Sequence, residues 1–210
     1  MGILAQWRIG ALVEALHPLA EAGVAVVGLE PSCLFTLRDE ALALGLGPRA
    51  EVVAKQALMF EEFVAREVRA GRFALPGLKP LEAIGAADAT GATTTAPRPL
   101  LVHGHCHQKA FGAVSPVLEV LRLIPGAKPE LIESSCCGMA GSFGYEAKHQ
   151  GVSMQMAELS LLPAVRKAPD AIVVADGTSC RHQIADGAGR EAVHVARLLA
   201  GQLSPGDQHT

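Results

Sequence analysis

Five cysteines carry most of the chemistry open to this sequence: Cys33, Cys106, Cys136, Cys137 and Cys180. Two of them are adjacent in "SSCCGMAGSFGYE" (134–146), and Gly138, Gly141 and Gly144 follow closely. The count is odd and no secretory leader is legible, so metal ligands or reactive thiols fit better than a disulfide framework. Four thiolates brought to one place suit zinc or an iron–sulfur cluster. Zinc ribbons present thiols in C-x2-C knuckles, and this sequence has none. Neighbouring cysteines reach adjacent corners of one small ion only with backbone strain, whereas a cluster offers a separate iron to each. Two other readings stay open: a pair of buried, unligated cysteines in a glycine-rich turn, and a strained vicinal disulfide.

The residues around the thiols extend the chemistry. Gly138, Gly141 and Gly144 allow positive φ and let backbone N–H groups approach sulfur. The run "HGHCHQK" sets His103, His105 and His107 around Cys106, as further ligands, donors to sulfur or proton carriers. His103 ends an apolar strand and reads equally as a core histidine; His105 and His107 flank the thiol and rank above it. His182 follows "SCR", and Arg181 and Arg38 could offset thiolate charge, although both also read as solvated helix residues. Lys109 and Tyr145 are weaker candidates on the same grounds.

Elements must bring these residues together. The segment from Ile3 to Ala22 is patterned as a helix, with Leu4, Leu12, Leu16 and Leu19 near one face and Gly23 as its stop. "VAVVG" (24–28) reads as a buried parallel strand, followed by a turn, a helix from Cys33 towards Leu46 and a helix over about 51–70. The stretch 78–99, rich in Ala, Thr, Gly and Pro, reads as a long linker or irregular hairpin. After it come strand "PLLVHG", a loop holding Cys106, a helix over about 109–123, strand "PELIE" and a loop with the cysteine pair. A helix over about 145–161, strand "AIVVAD" and two helices complete the chain. Alternating short apolar strands and helices imply an α/β fold, a parallel sheet covered on both faces, with its site at the carboxyl ends of the strands. All five cysteines fall there.

Composition excludes some functions. Half of the 210 residues are apolar, the net charge is −3 and the pI near 6.2, with no Lys/Arg cluster; nucleic acid is not an expected partner. No run approaches the ~18 apolar residues of a membrane span. The expectation is a cytoplasmic protein, not transmembrane.

The chain also repeats itself. "VAVVGLEPSCLFTLRDE" from Val24 aligns with "AIVVADGTSCRHQIADG" from Ala171 at an offset of 147, so that Val26, Val27, Ser32, Cys33 and Asp39 meet Val173, Val174, Ser179, Cys180 and Asp186. Each copy reads strand, tight turn, Ser-Cys, helix. The cysteine pair that precedes Cys180 has no counterpart before Cys33, because its place falls about ten residues ahead of Met1 by the same offset. Either that copy has lost its site or, the favoured expectation since the chain opens in a helix, the first unit is truncated in a chain that is the C-terminal part of something longer.

Taken together, "GLEPSCLFTLRDE", "HGHCHQKA", "SSCCGMAGSFGYE" and "ADGTSCRHQI" resemble the cysteine-rich CCG domains of iron–sulfur oxidoreductases. These include the CCG-bearing component of heterodisulfide reductase, the iron–sulfur subunits of glycolate oxidase and anaerobic glycerol-3-phosphate dehydrogenase, and the C-terminal region of bacterial FAD-linked oxidases of D-2-hydroxy acids such as D-lactate or D-2-hydroxyglutarate. The resemblance spans about 5–199. It implies a duplicated CCG unit: 1–72 as the C-terminal half of the first, 73–98 as linker, 99–203 as the second, and 204–210 as a disordered tail. It implies that Cys106, Cys136, Cys137 and Cys180 ligate a 4Fe–4S cluster, that Cys33 matches the last ligand of the first unit, and that Gly138 belongs to the cofactor-binding motif. It further implies electron transfer towards an acceptor, FAD on a missing domain or partner subunit, no substrate oxidation by this chain alone, and a place in the cytoplasm or at the inner face of the membrane. The pattern departs at one point: a closing C-x-x-C would place a cysteine at Gly177 and at Glu30. That puts a non-cubane cluster in doubt, and leaves Glu30 as an oxygen ligand or as the cap of the helix near Cys33.

Overall fold

The structure, a computed structural model, describes residues 3–81, 83–87 and 93–203; the tail expected at 204–210 lies outside them. In chain order the elements are α1 (Ile3–Glu21), β1 (Val26–Gly28), α2 (Pro31–Arg38), α3 (Glu40–Ala43), α4 (Pro48–Gln56), β2 (Ala57–Met59) and α5 (Phe60–Arg69). Then follow β3 (Ala83–Ala87), β4 (Thr93–Pro97), β5 (Leu100–His103), α6 (Cys106–Ala110), α7 (Ser115–Leu121) and β6 (Pro129–Leu131). After a single 3-10 turn at Phe143–Tyr145 come α8 (Gln150–Glu158), α9 (Leu161–Lys167), β7 (Ile172–Ala175), α10 (Thr178–Ala188), β8 (Ala192–Val193) and α11 (Val195–Gln202).

The α/β reading with parallel strands between helices holds, in two parallel sheets instead of one. The larger has the order β6-β5-β7-β8; the smaller is the pair β1-β2. In the larger sheet Leu100 sits opposite both Pro129 and Ile172, and Val174 opposite Val193. β1 and β2 run in register from Val26 beside Ala57 to Gly28 beside Met59. The two halves of the repeat match in strand order: β1 leads through α2, α3 and α4 to its parallel partner β2, and β7 through α10 alone to its parallel partner β8. α2 begins at Pro31 and α10 at Thr178, the same 147-residue offset that the sequence shows. The hairpin alternative for 78–99 also holds, since β3 and β4 pair antiparallel.

Several boundaries differ from expectation. The helix expected over 51–70 is two helices with a three-residue strand between them. So short a strand shows no alternation of its own, and no glycine or proline marks it. β8 escapes the sequence reading for the same reason. The helix drawn from Cys33 to Leu46 breaks at Asp39, whose ψ of −76° lies off the helical path. The helix expected from Tyr145 starts at Gln150 and ends before a separate α9. Cys106, expected in a loop, is the first residue of α6. On α1 the buried line is Val13 and Ala20, with Ile9 and Leu16 beside it, while Leu12 and Leu19 face outward at 47% and 52% exposure. Apolar residues lie all around that helix, so the pattern does not select a face; the side chain of Leu4 lies outside the described ones.

One core joins the halves. Val64 and Ala65 of α5 pack with Leu100 and Val102 of β5, Val117 and Leu121 of α7, and Val195 and Leu199 of α11. Burying each Leu or Val of this kind contributes about 1.5–3 kcal/mol. A second cluster, including Cys137, Met139, Val173, Ala175, Cys180 and Ile184, forms the floor under the thiols.

Candidate metal centre

Three loops at the carboxyl ends of β5, β6 and β7 deliver four thiols to one place. β5 ends at His103 and feeds α6, whose first residue is Cys106. β6 leads into the loop of Cys136 and Cys137, and β7 into α10, where Cys180 lies in the first turn. Cys137 and Cys180 are buried and share a hydrogen bond at 3.3 Å between sulfurs. Hydrogen bonds from Cys106 and Cys137 hold Cys136 far below the ordinary thiol range. Holding their protons as donors in those bonds, Cys106 and Cys137 are pushed up in turn. The hydrogen bond shared with Cys137, and after it His103, draws Cys180 down to about 5. Cys106, Cys136, Cys137 and Cys180 thus form one linked row, with negative charge concentrated on Cys136 and Cys180.

The chain prepares this charge with backbone and cation. The Gly138 amide donates to Cys136 Sγ at 3.3 Å. Gly138 has φ +92°, and a Cβ there would stand 2.1 Å from the Ser153 carbonyl oxygen, which the Gln183 amide holds at 3.0 Å. Gly141 also uses positive φ, as does Ala140 at φ 42°. Gly144 does not: it is small because a Cβ would meet Met139 Sδ and Ser153 Oγ at 2.5 Å. Lys109 reaches back over the loop to the Ser134 carbonyl, Ser134 Oγ (3.2 Å) and the Ser135 carbonyl (2.9 Å). Burial pushes its pKa down, and the charge on Cys180, Cys106, Cys136 and Cys137 opposes that fall. Lys109, a weak candidate from sequence, is the cation that faces the thiols.

The histidines change order. His103 is buried; its Nδ1 bonds Ser134 Oγ at 2.9 Å, its Nε2 has no hydrogen-bond partner among the described residues, and a ring nitrogen lies within 4.8 Å of the sulfurs of Cys137 and Cys180. His105 lies beside the thiols, its Nδ1 3.9 Å from Cys106 Sγ, and is at the same time the N-cap of α6. Its Nδ1 accepts from the His107 amide at 3.2 Å, so its other nitrogen carries the proton and faces Ser32 Oγ at 3.4 Å. Burial pushes the His105 pKa down, which keeps the ring neutral. His107 lines the cavity beside the thiols and sets its ring edge-on to Phe35.

Other candidates lie apart from the thiols. Arg181 spends its guanidinium on the carbonyls of Ala175 and Asp176 and on Thr178 Oγ1. His182 bonds the Tyr145 hydroxyl at 2.6 Å on the exposed side of α10. Arg38 pairs with Glu62 at 2.7 Å and lies over the Phe35 ring. Cys33 is exposed, at the start of α2. Glu30 does not cap the helix near Cys33. Its carboxylate accepts from the Thr178 amide at 2.9 Å and from Thr178 Oγ1 at 2.8 Å, so it caps α10 from the other copy of the repeat, where Gly177 has no side chain to do so. A Cβ at Gly177 would lie 2.6 Å from His105 Cδ2 and 3.1 Å from Cys180 Sγ, which leaves no room for a cysteine there in this packing.

A cavity of about 410 Å³ opens beside Cys106, Cys136 and Cys137, lined also by Ser32, Ser179 and Glu40. Ser32 and Ser179 are equivalent positions of the repeat. Sequence reasoning misses Glu40: an acid in the first turn of a helix is ordinary, and only the fold turns its unpartnered Oε2 inward.

The relatives of this chain are dehydrogenases and a dehydrogenase component. It is 28% identical over 188 residues to a subunit of anaerobic glycerol-3-phosphate dehydrogenase from Escherichia coli strain K12, a match to 87% of this chain and 41% of the relative. It is 29% identical over 189 residues to D-2-hydroxyglutarate dehydrogenase of the same strain, 89% of this chain and 16% of the relative. The Haemophilus influenzae enzyme of that name is 26% identical over 174 residues, 81% of this chain and 15% of the relative. The chain thus spans less than half the length of these relatives. No protein-family model matches it. Among the described residues no helix is long and apolar enough to cross a membrane.

Proposed function

We propose that the chain is an electron-transfer domain in which Cys106, Cys136, Cys137 and Cys180 hold an iron–sulfur cluster. The observation that carries this reading is the linked row of four thiols, drawn from three strand-end loops, beside a cavity larger than a single ion needs. A bound 4Fe–4S cluster would supply reversible one-electron storage. The protein's own part is to keep Cys136 and Cys180 as thiolates, to balance them with Lys109, to direct the Gly138 amide at sulfur, and to wall the floor with Met139, Ile184 and Val173. His103 Nε2, unpartnered and buried, is placed to donate to sulfur. On this reading 99–203 is one complete thiol-binding unit and 1–72 a half unit that closes over it.

By the resemblance to FAD-linked oxidases, the electrons come from a flavin on another domain or subunit, which oxidises a D-2-hydroxy acid, and leave to an acceptor. Anaerobic purification with iron, sulfide and EPR analysis tests the cluster: about four irons and four sulfides per chain is the expected result. Protein that carries zinc and no iron after anaerobic preparation overturns it. That second outcome has one observation in its favour, since His103, Cys137 and Cys180 form a buried three-donor group of the kind that zinc takes.

A further inference from the structure

Away from the thiols, Glu61 on α5 is wholly buried, and neither of its carboxylate oxygens has a hydrogen-bond partner among the described residues. Its oxygens, those of Asp176 after β7, and a ring nitrogen of His194 before α11 lie within 4.8 Å of one another, all three residues buried. The first belongs to the N-terminal half of the repeat and the other two to the second, so the group sits on the seam between them. Two buried carboxylates side by side require a cation, because an ionised carboxylate without a partner is among the costliest groups to bury.

The surrounding groups do not supply it. His194 Nδ1 accepts from the Ala196 amide at 3.0 Å, so the ring is neutral and its Nε2 carries the proton. That N–H donates to the Leu29 carbonyl at 2.8 Å and stands 3.6 Å from Asp176 Oδ1. No nitrogen of His194 is left for a metal ion. Asp176 accepts from the Val195 amide at 3.2 Å and from Gln108 Nε2 at 2.9 Å, so it is well held as an anion. Of the nearby charges on α2, α5 and α10, Arg38 pairs with Glu62, and Arg181 is spent on carbonyls and Thr178. Of the three, Glu61 is left without a partner among the described residues, and a proton is the cation that would balance it.

We propose that Glu61 and Asp176 form a proton-binding site, a carboxylic acid on Glu61 beside a carboxylate on Asp176, which sets the pH at which the seam between the two halves loosens. Burial first, and then the Asp176 charge, push the Glu61 pKa well above the ordinary carboxylate range, in agreement with this geometry. The sign follows from proton counting. Between its value in the unfolded chain and its raised value in the fold, Glu61 binds more proton when folded, so stability falls as pH rises through that window, by up to about tenfold in the folding equilibrium per pH unit. Above the raised value the penalty is complete and constant. The site also touches both thiol turns: Asp176 lies in the turn that leads to Cys180, and Gln108, which binds Asp176, accepts from the His105 amide beside Cys106. The proposal does not rest on the cluster reading, since it concerns the chain alone.

Infrared spectroscopy in water and heavy water tests it on the full chain. The expected result at neutral pH is a protonated-carboxyl stretch that shifts on deuteration and disappears in Glu61→Gln. Thermal unfolding from about pH 5 to about pH 9 is expected to give Glu61→Gln, which mimics the protonated acid, an advantage over wild type that widens with pH. Absence of the carboxyl band in the wild type overturns the proposal even if the variant does not fold. Parallel pH curves overturn it as well, as does a stoichiometric magnesium, manganese or zinc ion that wild type holds at this site and Glu61→Gln loses.

Discussion

Cys33 and Cys180 stand at the same place in two copies of one turn, each third in a helix that begins just after a strand. Cys33 is exposed; Cys180 is 1% exposed and hydrogen-bonded to Cys137. Their local sequences do not explain the contrast, since "PSC" and "TSC" start helices equally well. The neighbours of the strand do. β7 lies between β5 and β8, and the loops that leave β5 and β6 bring Cys106, Cys136 and Cys137 to Cys180. β1 pairs with β2, after which α5 begins with no thiol at all. A strand-end cysteine becomes a candidate ligand through what the adjacent strands carry, and its own motif only places it.

Breaking this comparison begins with the thiols. Cys137→Ser and Cys180→Ser are expected to abolish metal loading, and Cys33→Ser to leave it intact, measured as iron per chain after anaerobic reconstitution. Equal loss in all three would erase the distinction between the two turns. Gly138→Ala comes next. It forces a side chain into φ +92° and against the Ser153 carbonyl, so a loss of about 2–3 kcal/mol in denaturant unfolding is expected together with weaker loading. Gly177→Ala presses on the His105 ring and Cys180 Sγ, and about 1–3 kcal/mol is expected there. Its counterpart in the first turn, Glu30→Ala, removes the cap of α10 and should cost about 1 kcal/mol, with protection lost at the Thr178 amide in hydrogen exchange. Smallest of all is the stability change for Cys33→Ser, within about 0.5 kcal/mol.

Much of this contrast is legible in the sequence. The alternation of apolar runs and helices gives the parallel sheets, and loops after strands in such sheets converge, which collects Cys106, Cys136, Cys137 and Cys180 from their positions in the chain alone. The repeat alignment locates β1 against β7 to the residue. What escapes is what depends on packing. His103 and His105 look alike in "HGHCHQK", and only the start of α6 decides that His105 is spent as a cap while His103 keeps a free nitrogen near sulfur. Glu30 looks like the cap of its own helix until the two halves meet. Glu61 sits in an ordinary acidic pair, "FEEF", at a helix start, where Glu62 accepts from the Met59 amide at 2.9 Å; which of the two acids turns inward is a matter of helix phase against a neighbour 115 residues away. The strands β2 and β8 are too short for periodicity to register.

The bond from Glu30 to Thr178 links residues 148 apart in sequence. During synthesis Glu30 emerges well before Thr178, and the start of α10 stays uncapped until the halves dock. Cys180 lies in the first turn of that helix, so its final position depends on a contact with a segment made well before it. Uptake of metal at the thiols should therefore come late in assembly, and the loaded site would serve as a seal showing that both halves have met.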